Sequence, residues 1–157
     1  MPFVARHWPD DPDLVEHRVA GRPISVLLRG RVGTAGAEIT YGNFARRFPT
    51  SLRLRQIAMN ASVYAEAGDD MLVNYRQSSA IRVDLHETFR ATGRPVLFAM
   101  DDNWLRLSEN PFFAREPWLS QIDHVKAHIR DADSVLVWSA YSVNDVRELN
   151  PRVAVLS

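Results

Sequence analysis

The chain reads as a single-domain α/β fold, three-layer and doubly wound around a mostly parallel sheet, and three observations predict it. Short apolar runs alternate with segments of helical period, the connections between runs are long enough to hold helices, and the run Val96-Leu97-Phe98-Ala99-Met100 stops abruptly on Asp101 and Asp102. A strand buried on both faces of a parallel sheet reads as a nearly continuous apolar run. Helix-length connections between such strands favour parallel pairing with right-handed crossovers. Open α/β sheets bind ligands outside the carboxyl ends of their strands, so acids placed directly after a strand mark a candidate site.

Taken in order, the stretch through Arg22, with Pro2, Pro9 and Pro12 among several charges, reads as an extended lead-in. From Pro23 the pattern changes. Ile24 to Leu28 is a first strand, followed by the glycine-bearing loop Gly30 to Gly36 and a helix whose apolar side runs from Ala37 to Phe48, ended by Pro49. Ser51 to Met59 alternates Leu52, Leu54 and Ile57 with arginines and suits a strand near an edge. Met71 to Tyr75 is a third strand, after the turn signal Ala67-Gly68-Asp69-Asp70. A helix over 79–91 ends at Gly93, and the acid-terminated strand follows at once. An aromatic loop from Trp104 to Trp118 leads into a helix over 119–130 with Ile122, Val125 and Ile129 inward. Ser134 to Trp138 is the next strand, 142–149 the next helix and 153–156 the last strand.

Composition narrows the function classes. With 157 residues, 46% hydrophobic and 24% charged, the chain fits one globular domain. Nineteen basic and nineteen acidic side chains cancel, which removes the electrostatic case for a general nucleic-acid or anionic-membrane binder. Lys126 is the only lysine, so the positive charge is nearly all arginine. The absence of cysteine excludes disulfides and thiolate metal sites and fits a reducing compartment. His7, Asp10, Asp11 and Asp13 interrupt any leader-like stretch, and no run approaches a membrane span, so a cytoplasmic domain is expected.

Four constellations bear on chemistry. Gly30, Gly33 and Gly36 are spaced by three, unlike a dinucleotide-binding loop, yet such a loop lets backbone N–H groups approach an anion at a helix N-terminus. Asp101 and Asp102 repel one another unless solvated, hydrogen-bonded or neutralised, which points to a ligand, a metal or an arginine nearby; the alternative is that one caps a turn and the other is solvated. A site at this edge uses one acid to orient a hydroxyl or accept its proton. Asp101, Asp102 and Asn103 together offer oxygen ligands, without a defined metal. His124 and His128 stand one helical turn apart, a chelating spacing, but a third ligand is lacking nearby and a solvated or half-buried histidine face is the better reading. Ser142 to Asp145 has the form of a capping box, and Ser139 falls at the same carboxyl edge as the acids.

The ordered segments Asn74-Tyr75-Arg76-Gln77, Gly93 to Asn103, Ala132 to Ser139 and Asn150 to Leu156 resemble the amino-terminal half of GT-B glycosyltransferases. The resemblance spans roughly 23–157 and implies a Rossmann-like domain there, with 1–22 as a lead-in. It also implies that the domain supplies the sugar-acceptor side of a cleft. The nucleotide-sugar donor would be held by a carboxy-terminal domain that this sequence does not contain, so transfer requires a second domain. Asp101 or Asp102 would orient the acceptor, and Arg76 would bind an anionic group or pair with those acids. Gly33, Gly36 and Glu38 are similar to the glycine-rich first loop and the acid that follows it in that family, and Asn103 and Ser139 complete the expected substrate-binding set. No metal and no cofactor is implied. Two other classes stay open. A receiver-like signalling domain wants acids after its first strand, where Arg29 stands; a noncatalytic scaffold would use Trp104, Phe112, Phe113 and Trp118 as a partner surface.

Overall fold

A computed structural model describes residues 22–30, 41, 46, 52–58, 66, 68–115 and 117–156, with residue 118 described for its backbone only. The lead-in before Arg22, the loop residues Gly33 and Gly36, Glu38 and most of the first expected helix lie outside them; within that stretch Tyr41 and Arg46 are helical. The elements run β1 (Ile24–Gly30), β2 (Leu52–Ala58), β3 (Met71–Tyr75), α1 (Val83–Arg90), β4 (Val96–Met100), a 3-10 turn (Trp104–Glu109), α2 (Trp118–Asp131), β5 (Ser134–Val137), α3 (Tyr141–Arg147) and β6 (Val153–Val155).

The six strands form one sheet in the order β2-β1-β3-β4-β5-β6, and every neighbouring pair is parallel. The chain therefore folds as one Rossmann-like α/β sheet domain. The strand composition explains the order. β1, β3, β4 and β5 are buried nearly throughout, as interior parallel strands are. β2 alternates arginines with leucines and is only partly buried, and it occupies the edge, where charge discourages further pairing.

Two apolar layers sandwich the sheet. On one face Leu27, Leu72 and Val96 pack with Leu85 and Phe89 of α1, and Phe98, Met100, Val135 and Val137 pack with Val125 and Ile129 of α2 and Val146 of α3. The opposite face, Val26, Leu28, Val73, Tyr75, Leu97 and Ala99, is also buried, and helical Tyr41 packs against it. Phe89 and Phe98 are fully buried, so truncating either to Ala removes about 3–5 kcal/mol.

Helix ends are less regular than the sequence suggests. Gly93 does stop α1: at φ +69° it donates to the Arg90 carbonyl at 2.9 Å, and Arg94 N–H reaches the Phe89 carbonyl at 3.0 Å. The start differs. α1 begins at Val83, not near Ser79, because the preceding residues form a connector whose Ser79 carbonyl accepts a hydrogen bond from His128 of α2. The expected capping box at Ser142 is absent: α3 begins at Tyr141 without a side-chain cap, and Asp145 is drawn instead to Arg106 and Asn103.

Candidate functional site

The chain leaves β1 for β2 on one side and runs from β3 through β4, β5 and β6 on the other, so the order reverses between β1 and β3. Tyr41 of the β1–β2 connection lies on one face and α1 to α3 on the other. At such a switch point the connections diverge and leave a crevice at the carboxyl ends of the strands. Gly30 ends β1 there. A Cβ on it would sit 2.9 Å from the Tyr75 carbonyl oxygen, a backbone atom that cannot move aside, so close approach of the two strand ends requires glycine.

Asp101 and Asp102 follow β4 at this same edge, and Arg76 follows β3 directly beside it. Arg76 N–H extends the ladder to the Ala99 carbonyl at 2.8 Å. The residue has φ +50°, the one described non-glycine residue at positive φ, a conformation that costs about 1–3 kcal/mol when a side chain is present. Its guanidinium reaches Asp101 through Nε at 3.2 Å and Nη1 at 3.3 Å, touches Asp102 through Nη2 at 3.5 Å, and lies 5.4 Å from the Trp104 ring centroid. Of the two roles expected for Arg76, the geometry has the pairing with acids.

The two acids differ. Asp101 accepts from the Tyr75 hydroxyl at 2.9 Å, from Arg76 and from the Asp102 N–H at 3.0 Å. The Asp102 side chain is 70% exposed, and the long contact with Arg76 is its ion pair. Asp101 is thus tied into the edge, and Asp102 is the solvent-exposed carboxylate of the two. Burial, followed by the Asp101 hydrogen bond, pushes the Tyr75 phenol well above its ordinary pKa; burial does the same to Tyr41. Both stay protonated, and Tyr75 donates to Asp101.

Around this pair the edge is aromatic and polar. Tyr41, Tyr75 and Trp138 form a three-ring cluster with centroids 5.6 to 5.9 Å apart. Asn103 donates to Asp145 Oδ2 at 2.6 Å, and Arg106 grips the same carboxylate at 2.7 and 2.8 Å. That grip holds the Asp145 carboxyl down at about 2. Three polar atoms of this edge, the Tyr41 hydroxyl, Asn103 Oδ1 and Trp104 Nε1, are buried without a hydrogen-bond partner. Unpartnered buried polar atoms are uncommon in folded proteins; Asn74 Oδ1 and His128 Nδ1 are two more among the described residues.

Of the residues singled out in the sequence, Arg76, Asp101, Asp102 and Asn103 come together. Ser139 follows β5 at the same edge, where its hydroxyl accepts from Tyr141 N–H at 3.2 Å. Gly33, Gly36 and Glu38 lie outside the described residues. The reading of His124 and His128 as one solvated or half-buried face is corrected: His124 is exposed, but His128 is fully buried, stacked on Phe98 at 5.7 Å. Among the described residues no group of three or more His, Asp or Glu is placed to hold a metal ion, and no described helix is long and apolar enough to cross a membrane. Sequence reasoning missed Tyr41, Tyr75 and Trp138; the one signal was that β3 ends on an aromatic residue just before Arg76. No protein-family model and no curated protein matches the chain.

Proposed function

We propose that the carboxyl edge is the acceptor side of a glycosyl-transfer cleft, with Asp102 orienting an acceptor hydroxyl or taking its proton and Asp101, Tyr75 and Arg76 holding that acid in place. The observation that carries this reading is the charge balance at the switch point: two carboxylates share one guanidinium. Surplus negative charge repels the phosphates of a nucleotide-sugar and suits a hydroxyl-bearing ligand whose proton is to be withdrawn. The unpartnered Tyr41, Asn103 and Trp104 atoms add donors and an acceptor of the kind a polyhydroxylated ring satisfies. β6 runs parallel to β4 and delivers the chain at Leu156 to this same edge, so a donor-binding domain joined there would face the acids.

The test has two parts. Simple oligosaccharides titrated into 15N-labelled protein should shift the signals of Arg76, Asp101 to Trp104 and Trp138; shifts confined to other residues, or tight binding of a nucleotide-sugar by this domain alone, overturn the assignment. In a protein that joins this domain to a donor-binding one, Asp102→Ala should lower kcat by about a hundredfold or more while leaving the melting temperature unchanged. Unchanged turnover removes Asp102 from the chemistry.

A second reading is favoured by one observation. Val83, Phe112, Leu119 and Tyr141, the exposed large apolar side chains among the described residues, all lie at helix starts or in the loop that follow strands at the carboxyl side. A noncatalytic partner surface would use them. Phe112→Ser combined with Tyr141→Ser should then abolish partner capture while Asp101→Asn and Asp102→Asn leave it intact.

A further inference from the structure

The connector that carries Arg76, residues 76–82, is pinned from beneath by buried polar side chains that the edge chemistry does not use. Gln77 Nε2 donates to the Arg29 carbonyl at 3.0 Å, and His128 Nε2 donates to the Ser79 carbonyl at 2.9 Å. One strand position before Tyr75, Asn74 lies 3.0 Å through its amide nitrogen from His86 Nε2, while His86 Nδ1 lies 2.6 Å from Asp131 Oδ2. Asn74, Gln77, His86 and His128 are all at most 2% exposed.

Donor and acceptor roles follow from those contacts. Asp131 is an acceptor, so His86 carries its proton on Nδ1, and the bare Nε2 accepts from the Asn74 amide. The imidazole is therefore neutral as placed. A second proton on Nε2 would face the Asn74 NH2 group, donor against donor. Either the amide turns over or the end of β3 gives way before that proton is accommodated. Two residues beyond Asn74 stands Arg76 at φ +50°, joined to its acids by contacts of 3.2 to 3.5 Å. It is the strained and loosely held point in the path, and therefore the one that yields.

We propose that His86 is a positioning residue for Arg76: singly protonated, it fixes Asn74 and thereby the strand end that lays the guanidinium across Asp101 and Asp102; doubly protonated, it releases that guanidinium from both acids. The charged and titratable groups facing His86 are Asp131 and His128 from α2, Arg90 from its own helix and Arg29 from β1. β4 contributes Phe98, packed on His128, and β3 contributes the uncharged Asn74. Burial outweighs Asp131 and keeps the His86 pKa below its ordinary value. His128, buried among the same groups, is held down at about 4. The inference concerns the placement of Arg76 and stands whether or not the edge receives a sugar.

The experiment follows the imidazole signals of His86 and the side-chain Nε–H signal of Arg76 in 15N-labelled protein from mildly alkaline to mildly acidic pH. Hydrogen exchange at Arg76 Nε, taken relative to the intrinsic rate at each pH, should quicken about tenfold or more at the pH where His86 titrates. His86→Gln retains an acceptor for the Asn74 amide without a titrating group, and in that variant the step should vanish while Arg76 keeps its slow exchange. An Arg76 signal that stays constant through the His86 titration overturns the proposal, as does a step that persists in His86→Gln. Should the variant not fold, the titration of the unaltered protein decides alone, since coincidence of the two transitions is required.

Discussion

The two edges of this sheet use the same residue types to opposite ends. At the amino edge, Asp70 accepts from Ser25 N–H at 2.7 Å and from both terminal nitrogens of Arg22 at 2.7 and 2.8 Å. Asp133 accepts from Val96 N–H at 2.7 Å, and the Asn150 side chain joins the Ile129 and Ala132 carbonyls to Arg152 N–H. Asp70 and Asp133 each have a backbone N–H donor from the start of a strand. At the carboxyl edge Asp101 and Asp102 share one strained arginine at longer range. The acids of the amino edge are matched by donors; at the carboxyl edge Asp101 and Asp102 outnumber the one arginine they share.

A cleft of about 450 Å³ lined by Arg90, Arg130, Asp131, Asp133 and Arg152 opens on the amino side. Its size alone would draw a ligand assignment, but its chemistry does not. α1 and α2 end there, and arginines in their last turns complement the negative ends of the helix dipoles. Arg90 is already spent on Asp131.

Several measurements break or sharpen this contrast, the first with the largest effect. His128 is neutral in the fold with a pKa of about 4, against an ordinary 6.5. Below pH 6.5 the unfolded chain binds a proton that the folded chain refuses, so stability falls as pH drops from 6.5 to 4 and levels off beneath. The loss from this residue is at most about 3 kcal/mol. Urea denaturation at a series of pH values should show it, and His128→Gln should flatten most of the slope; a parallel slope in the variant refutes the assignment. Next, Gly30→Ala forces a methyl group against the Tyr75 carbonyl and should cost about 2 kcal/mol by overpacking, with the Tyr75 and Asp101 signals displaced in NMR spectra. A variant as stable as the parent would mean the strand ends are not in contact.

The smallest effects address the contrast itself. Asp70→Ala leaves Ser25 N–H and Arg22 without their acceptor and should lower stability by about 1–2 kcal/mol. Asp102→Ala should change it by less than about 0.5 kcal/mol in either direction. Equal destabilisation at the two positions would erase the difference between the edges.

Strands were legible where burial on both faces made their composition continuous. Met71 to Tyr75 and Val96 to Met100 agree with the expected strands, and Ile122, Val125 and Ile129 face the core as their spacing implies. What escaped was decided by partners distant in sequence. Ser79 looks like the beginning of a helix until His128, 49 residues away, claims its carbonyl. Ser142 and Asp145 have the form of a capping box until Arg106, 39 residues away from Asp145, takes the carboxylate. Arg76 reads either as an anion-binding group or as a partner of the two acids, and the fold decides for the acids.

Sequence alone therefore determined the class of fold, the run of strands and the presence of acids at a strand's carboxyl end, because hydrophobic periodicity and strand termination are local properties of the chain. Tertiary structure alone decided that β1 and β3 meet at the switch point, that Asp101 is saturated while Asp102 is exposed, and that two histidines are buried beneath Arg76. Those outcomes depend on which side chains come within hydrogen-bonding distance after the strands are ordered. That ordering is set by long-range pairing and by the handedness of crossovers, neither of which is encoded in any single stretch of residues.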